Sequence, residues 1–451
     1  MVRATPTCNL KNNNINKFPL VQPQENQNLL QIPSQVKEND KFDQQNSISD
    51  DGIQHVESLE ESFGNLQIGE DYFSKLLYDV KLQILIRVPT ESLLDCKLVC
   101  KSWNSIIHSG SFSRFHLHNL IKSDSGKFGF LAYSGYAFNY GEYDDNESTS
   151  TQRKLDLRPP FNNGIVVGSC NGLICLCKNP SLYICNPVIR ERNLLPEIRK
   201  PYIDADQHLD WISGFGYVSS TDEYKVLGIH VLQNEFLVIH IYTLGRDTGW
   251  RNIGKFSADL RPYTWKESAV FANGALYWIG GCVEKVFSFD LDKECFHTHL
   301  SPPELPENND WSFNRLLVLE GCLYFAAWFF DECEGNEFYD IWRLEKKARK
   351  CQQDWSWKYI FTVQQNTLLA ITKGGKVLTQ IDGDIYLYNP ISSTSKRVVK
   401  FEELNSDICP HKNTLISFKD LGEEDPETIQ SKMVSDEQPE DVGALGNVNN
   451  S

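Results

Sequence analysis

The chain has 451 residues, is 41% apolar and 12% aromatic, and carries a formal charge of −16. That is enough apolar material for two or three domains, or for one large β architecture with extensions. The acidity sits at the ends: residues 420–451 carry −8 and residues 48–71 carry −7, while 72–419 is only −2, so the body has no basic excess for a phosphate backbone and a nucleic-acid partner is not expected.

In chain order, residues 1–70 are Asn- and Gln-rich and then acidic, with no apolar period, and read as a disordered tail. No charged-then-apolar leader opens the sequence. The thirteen cysteines include no CxxC pair and read as buried free thiols of a reducing compartment, cytoplasm or nucleus rather than the secretory route. On that reading the glycosylation pattern Asn146-Glu-Ser is a chance match. The longest apolar stretch, Leu316–Phe330, is interrupted by Glu320 and falls short of the ~20 residues of a membrane span, so no membrane partner is expected.

From Tyr72 to Ile107 the pattern is helical. Asp79 reads as the cap of a helix running to about Val88, Pro89 ends it, and Thr90 with Glu91 restarts a second one. At 100° per residue Val80, Ile84, Leu85 and Val88 form one apolar sector, with Leu82 and Ile86 opposite. In the second helix Leu93, Cys96, Val99, Cys100, Trp103, Ile106 and Ile107 share a face, while Leu94 and Leu98 point elsewhere. Both helices have more apolar surface than one seam hides, so the surplus either packs on the rest of the chain or docks another protein.

From Phe128 to Phe418 short strands with turn signals replace the helical period. A turn followed by an apolar strand recurs as Asn171-Gly-Leu-Ile-Cys, Asp222-Glu-Tyr-Lys-Val-Leu, Asn273-Gly-Ala-Leu-Tyr-Trp, Glu320-Gly-Cys-Leu-Tyr-Phe and Gly374-Gly-Lys-Val-Leu, with steps of 51, 51, 47 and 54 residues. An alternating second strand follows each copy, and most are followed by a third segment such as Trp355-Ser-Trp-Lys-Tyr-Ile. This period predicts kelch-like propeller blades. Five are visible, and a sixth is assembled from Phe128–Tyr140 with Thr414–Phe418 as the closing strand. A large sandwich with regular turns is the alternative. The fold class expected is mainly β: a small helical unit at 71–115, a six-bladed propeller-like domain at 116–419, and disordered tails at 1–70 and 420–451.

The run Leu76-Leu-Tyr-Asp-Val-Lys-Leu-Gln-Ile-Leu-Ile-Arg-Val-Pro-Thr-Glu-Ser-Leu-Leu-Asp-Cys-Lys-Leu-Val-Cys-Lys-Ser-Trp closely resembles the F-box, with Phe112 at the expected distance. It departs from the family motif at Leu77, where the family has proline, and at Gln83, where an acid is usual. Gly168-Ser-Cys-Asn-Gly-Leu-Ile-Cys, Tyr183-Ile-Cys-Asn-Pro-Val and Gly214-Phe-Gly-Tyr resemble the kelch-like F-box-associated domains abundant in plants. The resemblance implies a substrate-recognition subunit of a Skp–cullin–F-box ubiquitin ligase. By position, Leu76, Val80, Ile84, Leu85, Val88 and Pro89 would meet the Skp adaptor, itself linked to a cullin, and Leu98, Val99 and Trp103 would hold the helices together. The propeller would bind an unidentified protein to be ubiquitinated. Other readings are an F-box scaffold or regulator outside a ligase, and a propeller-type ligand binder or enzyme.

No catalytic residue, cofactor or metal site is expected. No nucleophile elbow, Walker loop, HExxH or strand-linked GxGxxG occurs. Cys170, Cys175, Cys177 and Cys185 lack zinc spacing, Cys409-Pro-His411 is no better, and Asp144-Asp145 reads as solvated loop. Trp278, Trp328 and Trp342 fall in strand patterns and read as core. Trp211, Tyr263, Trp265 and Trp311 lie in polar segments between strands and are the candidate anchors for a bound protein.

Overall fold

The computed structural model describes residues 76–429 apart from stretches within connections, the longest being 156–163, 199–209, 258–268 and 306–313. Four helices come first: α1 (Tyr78–Leu85), α2 (Thr90–Cys96), α3 (Lys101–Ile107) and α4 (Gly110–Lys122). The fourth runs past the domain boundary expected at 115.

Strands follow in sheets. Blade 1 holds β1 (Lys127–Tyr133), β2 (Phe138–Asp144) and β3 (Thr149–Leu155). Blade 2 holds β4 (Ile165–Cys170), β5 (Leu173–Lys178), β6 (Ser181–Asn186) and β7 (Glu191–Leu194). Blade 3 holds β8 (Asp210–Val218), β9 (Glu223–Leu232), β10 (Phe236–Thr243) and β11 (Arg251–Ser257). Blade 4 holds β12 (Val270–Ala272), β13 (Ala275–Gly280), β14 (Lys285–Asp290) and β15 (Cys295–Phe296). Blade 5 holds β16 (Arg315–Leu319), β17 (Cys322–Asp331), β18 (Asn336–Lys347) and β19 (Asp354–Gln364). Blade 6 holds β20 (Thr367–Ile371), β21 (Val377–Ile381), β22 (Asp384–Asn389) and β23 (Thr394–Val399).

The recurring signature is the first hairpin of a blade. Asn171-Gly172 and Asn273-Gly274 are two-residue turns with all four φ values positive (51°, 82°, 49° and 78°), the geometry that joins right-twisted strands and that Asn-Gly adopts most readily. Each sheet is then antiparallel in chain order, and its two faces are covered by its neighbours. Phe215 and Val226 of blade 3 pack on Val167 and Cys175 of blade 2. The seams between blades 3 and 4, 4 and 5, and 5 and 6 are filled around Trp278, Phe325 and Tyr324 respectively. Phe130 of blade 1 meets Leu378 of blade 6, and Leu131 of blade 1 meets Ile174 of blade 2, so the six seams close the ring.

Closure uses a strand other than the expected one. β24 (Asp407–Pro410) pairs with β1, placing Tyr133 opposite Asp407 and Phe130 opposite Pro410. Residues Thr414–Phe418, expected to be that strand, instead leave the ring and cross toward the helices. They lead into α5 (Phe418–Leu421), which stops at Gly422 in the left-handed conformation (φ 95°), with Glu423 N–H bonded to the Phe418 carbonyl. β25 (Glu427–Thr428) then adds to the outer edge of blade 2 beside β7. Residues 420–423 and 426–429 of the acidic segment expected to be disordered are instead seated on the fold, where Glu423 accepts from Gly245 N–H (2.7 Å) and Glu427 pairs with Arg192 (2.7 Å).

Candidate functional site

The helical unit has a small core of Leu85, Leu93, Trp103, Ile106, Ile107 and Phe112, completed by Leu415 from the segment after the ring-closing strand. α1 is docked from below by α4. The carbonyls at its C-terminal end, which lack intrahelical donors, accept from Asn119 Nδ2 (Ile86 O, 2.8 Å) and His116 Nε2 (Val88 O, 2.9 Å). Burial holds the His116 imidazole below the ordinary histidine range, which keeps it the neutral donor this contact uses. Lys81 is buried and reaches Ser102 on α3 (3.0 Å).

With that side pinned, α1 turns Leu77, Val80 and Ile84 outward along one stripe, 75%, 43% and 39% exposed. Tyr78 flanks them, and Arg87 donates to Gln83 Oε1 (2.9 Å) at the far end. Of the other residues expected at this surface, Pro89 is exposed, Leu76 and Val88 are half-buried, and Leu85 is fully buried. Leu85 lies 100° around the helix from Ile84, far enough to face the core.

Leu98 and Val99, expected to join the helices, are 87% and 52% exposed, whereas Trp103 is buried in the helical core. α2 ends at Cys96 and a turn carries the chain to Cys100, whose Sγ accepts from Trp103 N–H (3.5 Å) and starts α3. A single helical phase carried from Leu93 to Ile107 fails across that turn. Two caps also differ. Asp79 sits in the first turn of α1 rather than at its cap, and Thr90 is the first helical residue of α2, its hydroxyl donating instead to Asn413 O (2.8 Å).

Asn413 belongs to a strap, residues 411–423, that ties the helices to the propeller. His411 N–H donates to Gly129 O (2.8 Å) and Lys412 Nζ to Leu120 O (2.8 Å). The fully buried Asn186 donates to the carbonyls of Thr414 (3.1 Å) and Ile416 (2.8 Å). Ile416 and Phe418 enter the core between blades 2 and 3, and Arg114 of α4 pairs with Asp222 of blade 3 (3.1 Å). A side chain at Gly172 would strike Thr414, and one at Gly245 would strike the Leu421 carbonyl, so both glycines let the strap lie close.

Of the candidate anchors on the propeller, Tyr263, Trp265 and Trp311 lie outside the described residues, and Trp211 stands near the start of β8, its side chain also outside them. The exposed aromatics among the described residues of the propeller lie elsewhere: Phe236 on β10, Phe330 on β17, and Trp355 and Tyr359 on β19, the last two 42% and 47% exposed. The alternation Trp-Ser-Trp-Lys-Tyr was the available signal. The blade 2 thiols do not converge: Cys170, Cys175 and Cys177 face blade 3 and Cys185 faces blade 1. Burial pushes Cys170 and Cys185 up to about 12, so they are neutral thiols.

Comparison with known proteins decides what this arrangement belongs to. A family model described as the F-box associated β-propeller domain matches residues 130–420, and the F-box domain matches residues 73–115. The chain is a member of the F-box proteins with an associated β-propeller. Among its Arabidopsis thaliana relatives, F-box protein At3g07870 is 26% identical over 391 residues, covering 72% of this chain and 86% of the relative. F-box/kelch-repeat protein At3g23880 is 25% identical, covering 68% and 85%. The F-box accordingly comprises α1–α3 with the start of α4. Among the described residues no helix of this F-box protein is long and apolar enough to cross a membrane.

Proposed function

We propose that this F-box protein is the substrate-recognition subunit of a Skp–cullin–F-box ubiquitin ligase, without catalysis of its own. The observation that carries the reading is the exposed stripe of Val80 and Ile84 on α1, with Leu77 just before it, which no described residue covers, on a helix whose opposite side is fixed by His116, Asn119 and the Leu85 core. An apolar stripe held rigid and facing solvent is surface prepared for another protein. Here the partner would be a Skp-type adaptor, with the cullin reached through it and the propeller left to hold the protein to be ubiquitinated. On this reading the chemistry would come from an enzyme brought by another subunit.

Co-purification with a Skp adaptor tests it. The wild-type chain is expected to capture the adaptor at micromolar concentration. Ile84→Asp should weaken capture about 30-fold, the loss of one central anchor of about 2 kcal/mol, with the melting temperature of the propeller unchanged. No capture by the wild-type chain would remove the reading's main support.

A further inference from the structure

The outer edges of the blades are guarded in different ways, and one is not. A blade's last strand presents a row of unpaired N–H and C=O groups, which folded proteins blunt by shortness, charge, bulges or cover. β15 is two residues long. β3 (Thr-Ser-Thr-Gln-Arg-Lys-Leu) and β23 (Thr-Ser-Lys-Arg-Val-Val) are polar and basic, and β11 is broken by a register shift and by Gly254 at φ 132°. β7 is covered by β25. β19 is eleven residues long and, among the described residues, pairs only with β18. Its one irregularity lies between Ile341 and Trp342 on β18, beyond which residues 354–359 run in regular register.

One face of that regular stretch is aromatic. Trp355, Trp357 and Tyr359 stand opposite Lys346, Leu344 and Trp342 of β18. Trp357 is anchored by donating to Ser301 O (2.8 Å) and by packing on Phe325 (5.7 Å), and Tyr359 meets Trp342 edge-on (5.5 Å). Trp355 is 42% exposed beneath Lys346 Nζ (5.4 Å), and on the other face the Lys358 side chain is 62% exposed, 3.8 Å from the Glu345 carboxylate. The stripe is therefore rigid and apolar, with Lys346 on its own face and Lys358 on the other.

Blade 2 shows what such an edge accepts. There the edge strand carries Arg192, and the occupant is an extended segment, Glu427-Thr428-Ile429. Glu427 pairs with Arg192 (2.7 Å), Ile429 N–H donates to Arg190 O (2.7 Å), and the Ile429 side chain is buried. We infer that the β19 edge of blade 5 is a docking site for an extended, acid-bearing segment of a partner protein, which adds as a fifth strand with its apolar residues on the Trp355 and Tyr359 face and its alternating acids on the other face, near Lys358. This deepens the substrate-receptor reading and rests on it. A partner segment is favoured over the chain's own acidic C-terminal residues because the described residues end at the blade 2 edge, three blades away around the ring.

The test uses the full chain co-expressed with a Skp-type adaptor and a fluorescent decapeptide of alternating glutamate and valine, read by anisotropy. Saturable binding in the tens of micromolar is expected. Trp355→Ala should weaken it at least fivefold and Lys358→Glu about threefold, both being changes at exposed side chains that leave the fold intact. Methylating alternate backbone nitrogens of the peptide should abolish binding, because the strand hydrogen bonds are lost while the charge is kept. Equal binding by the methylated peptide, or no binding at 1 mM, overturns the assignment. So does binding that emerges only after deletion of residues 431–451, which would make the tail the occupant, or a dimer that Trp355→Ala dissociates, which would make it a second copy. Adaptor capture is measured on the same preparations. Capture without peptide binding sinks the edge site alone, and lost capture by the wild-type chain strikes the receptor reading.

Discussion

The outer edges of blades 2 and 5 stand at opposite treatments of one problem. Blade 2 ends in a four-residue strand, Glu-Arg-Asn-Leu, and the chain returns after more than two hundred residues to cover it with β25. Blade 5 ends in an eleven-residue strand rich in aromatics, and no described segment returns to it. Edge protection is therefore local to each blade, and cover is spent where the same segment also fastens the F-box. The strap reaches the blade 2 edge only after passing Leu415 into the helical core and Phe418 into the seam between blades 2 and 3.

The harshest way to break the comparison is to remove the cover. A chain ending at Pro410 keeps the ring-closing strand but loses Leu415, Ile416, Phe418 and Ile429, all buried. Its melting temperature should fall by about 10 °C or more, and adaptor capture should fall with it although every F-box residue is present. Unchanged capture would show that the F-box core does not depend on the strap.

Acid offers a gentler release. His411 heads the strap, fully enclosed, with Nδ1 against Ser169 Oγ (2.9 Å) and its ring edge-on to Tyr140 (6.4 Å). Burial holds its pKa down to about 4, below the ordinary 6.5. The folded state thus prefers neutral His411, so its contribution is complete above pH 6.5 and is lost as pH falls from 6.5 toward 4. At pH 5 the loss is about 2 kcal/mol. Urea unfolding at pH 7.5 and pH 5 should show this difference in the wild-type chain, and His411→Gln should lack that part of it. His116 and His240, also lowered by burial, leave a remainder of the same sign.

The smallest effects sharpen the contrast between the two edges. Glu427→Ala removes an exposed ion pair with Arg192 and should cost about 0.5 kcal/mol. Trp355→Ala should change stability by no more than about 0.5 kcal/mol, its consequence being confined to binding. A cost of several kcal/mol at Trp355 in chemical denaturation would mark that side chain as structural.

How far these features are legible in sequence depends on how local their physics is. The blade hairpins are legible because Asn171-Gly172 and Asn273-Gly274 specify a two-residue turn by themselves. The ring is legible because such turns recur evenly. The stripe on α1 is half legible: Val80 and Ile84 fall on it, but Leu85 goes to the core because α4 approaches from that side, which the period of α1 does not encode. Leu98 and Val99 mislead because a turn resets the helical phase. The strap is illegible, since residues 411–423 have no period and Glu423 reads as solvated until Gly245 and Tyr242 are placed around it.

The placement of Leu415 carries a consequence for synthesis. Domains on a ribosome generally fold in the order they emerge, yet the first domain here receives one wall of its core from a residue made after the whole propeller. Until then the α1 stripe rests on an unfinished support. A chain halted anywhere within the blades carries every residue of the F-box motif but not the residue that completes it. On the proposed function, a nascent or prematurely terminated chain would thus be a poor competitor for the adaptor, since its F-box lacks the support that Leu415 provides.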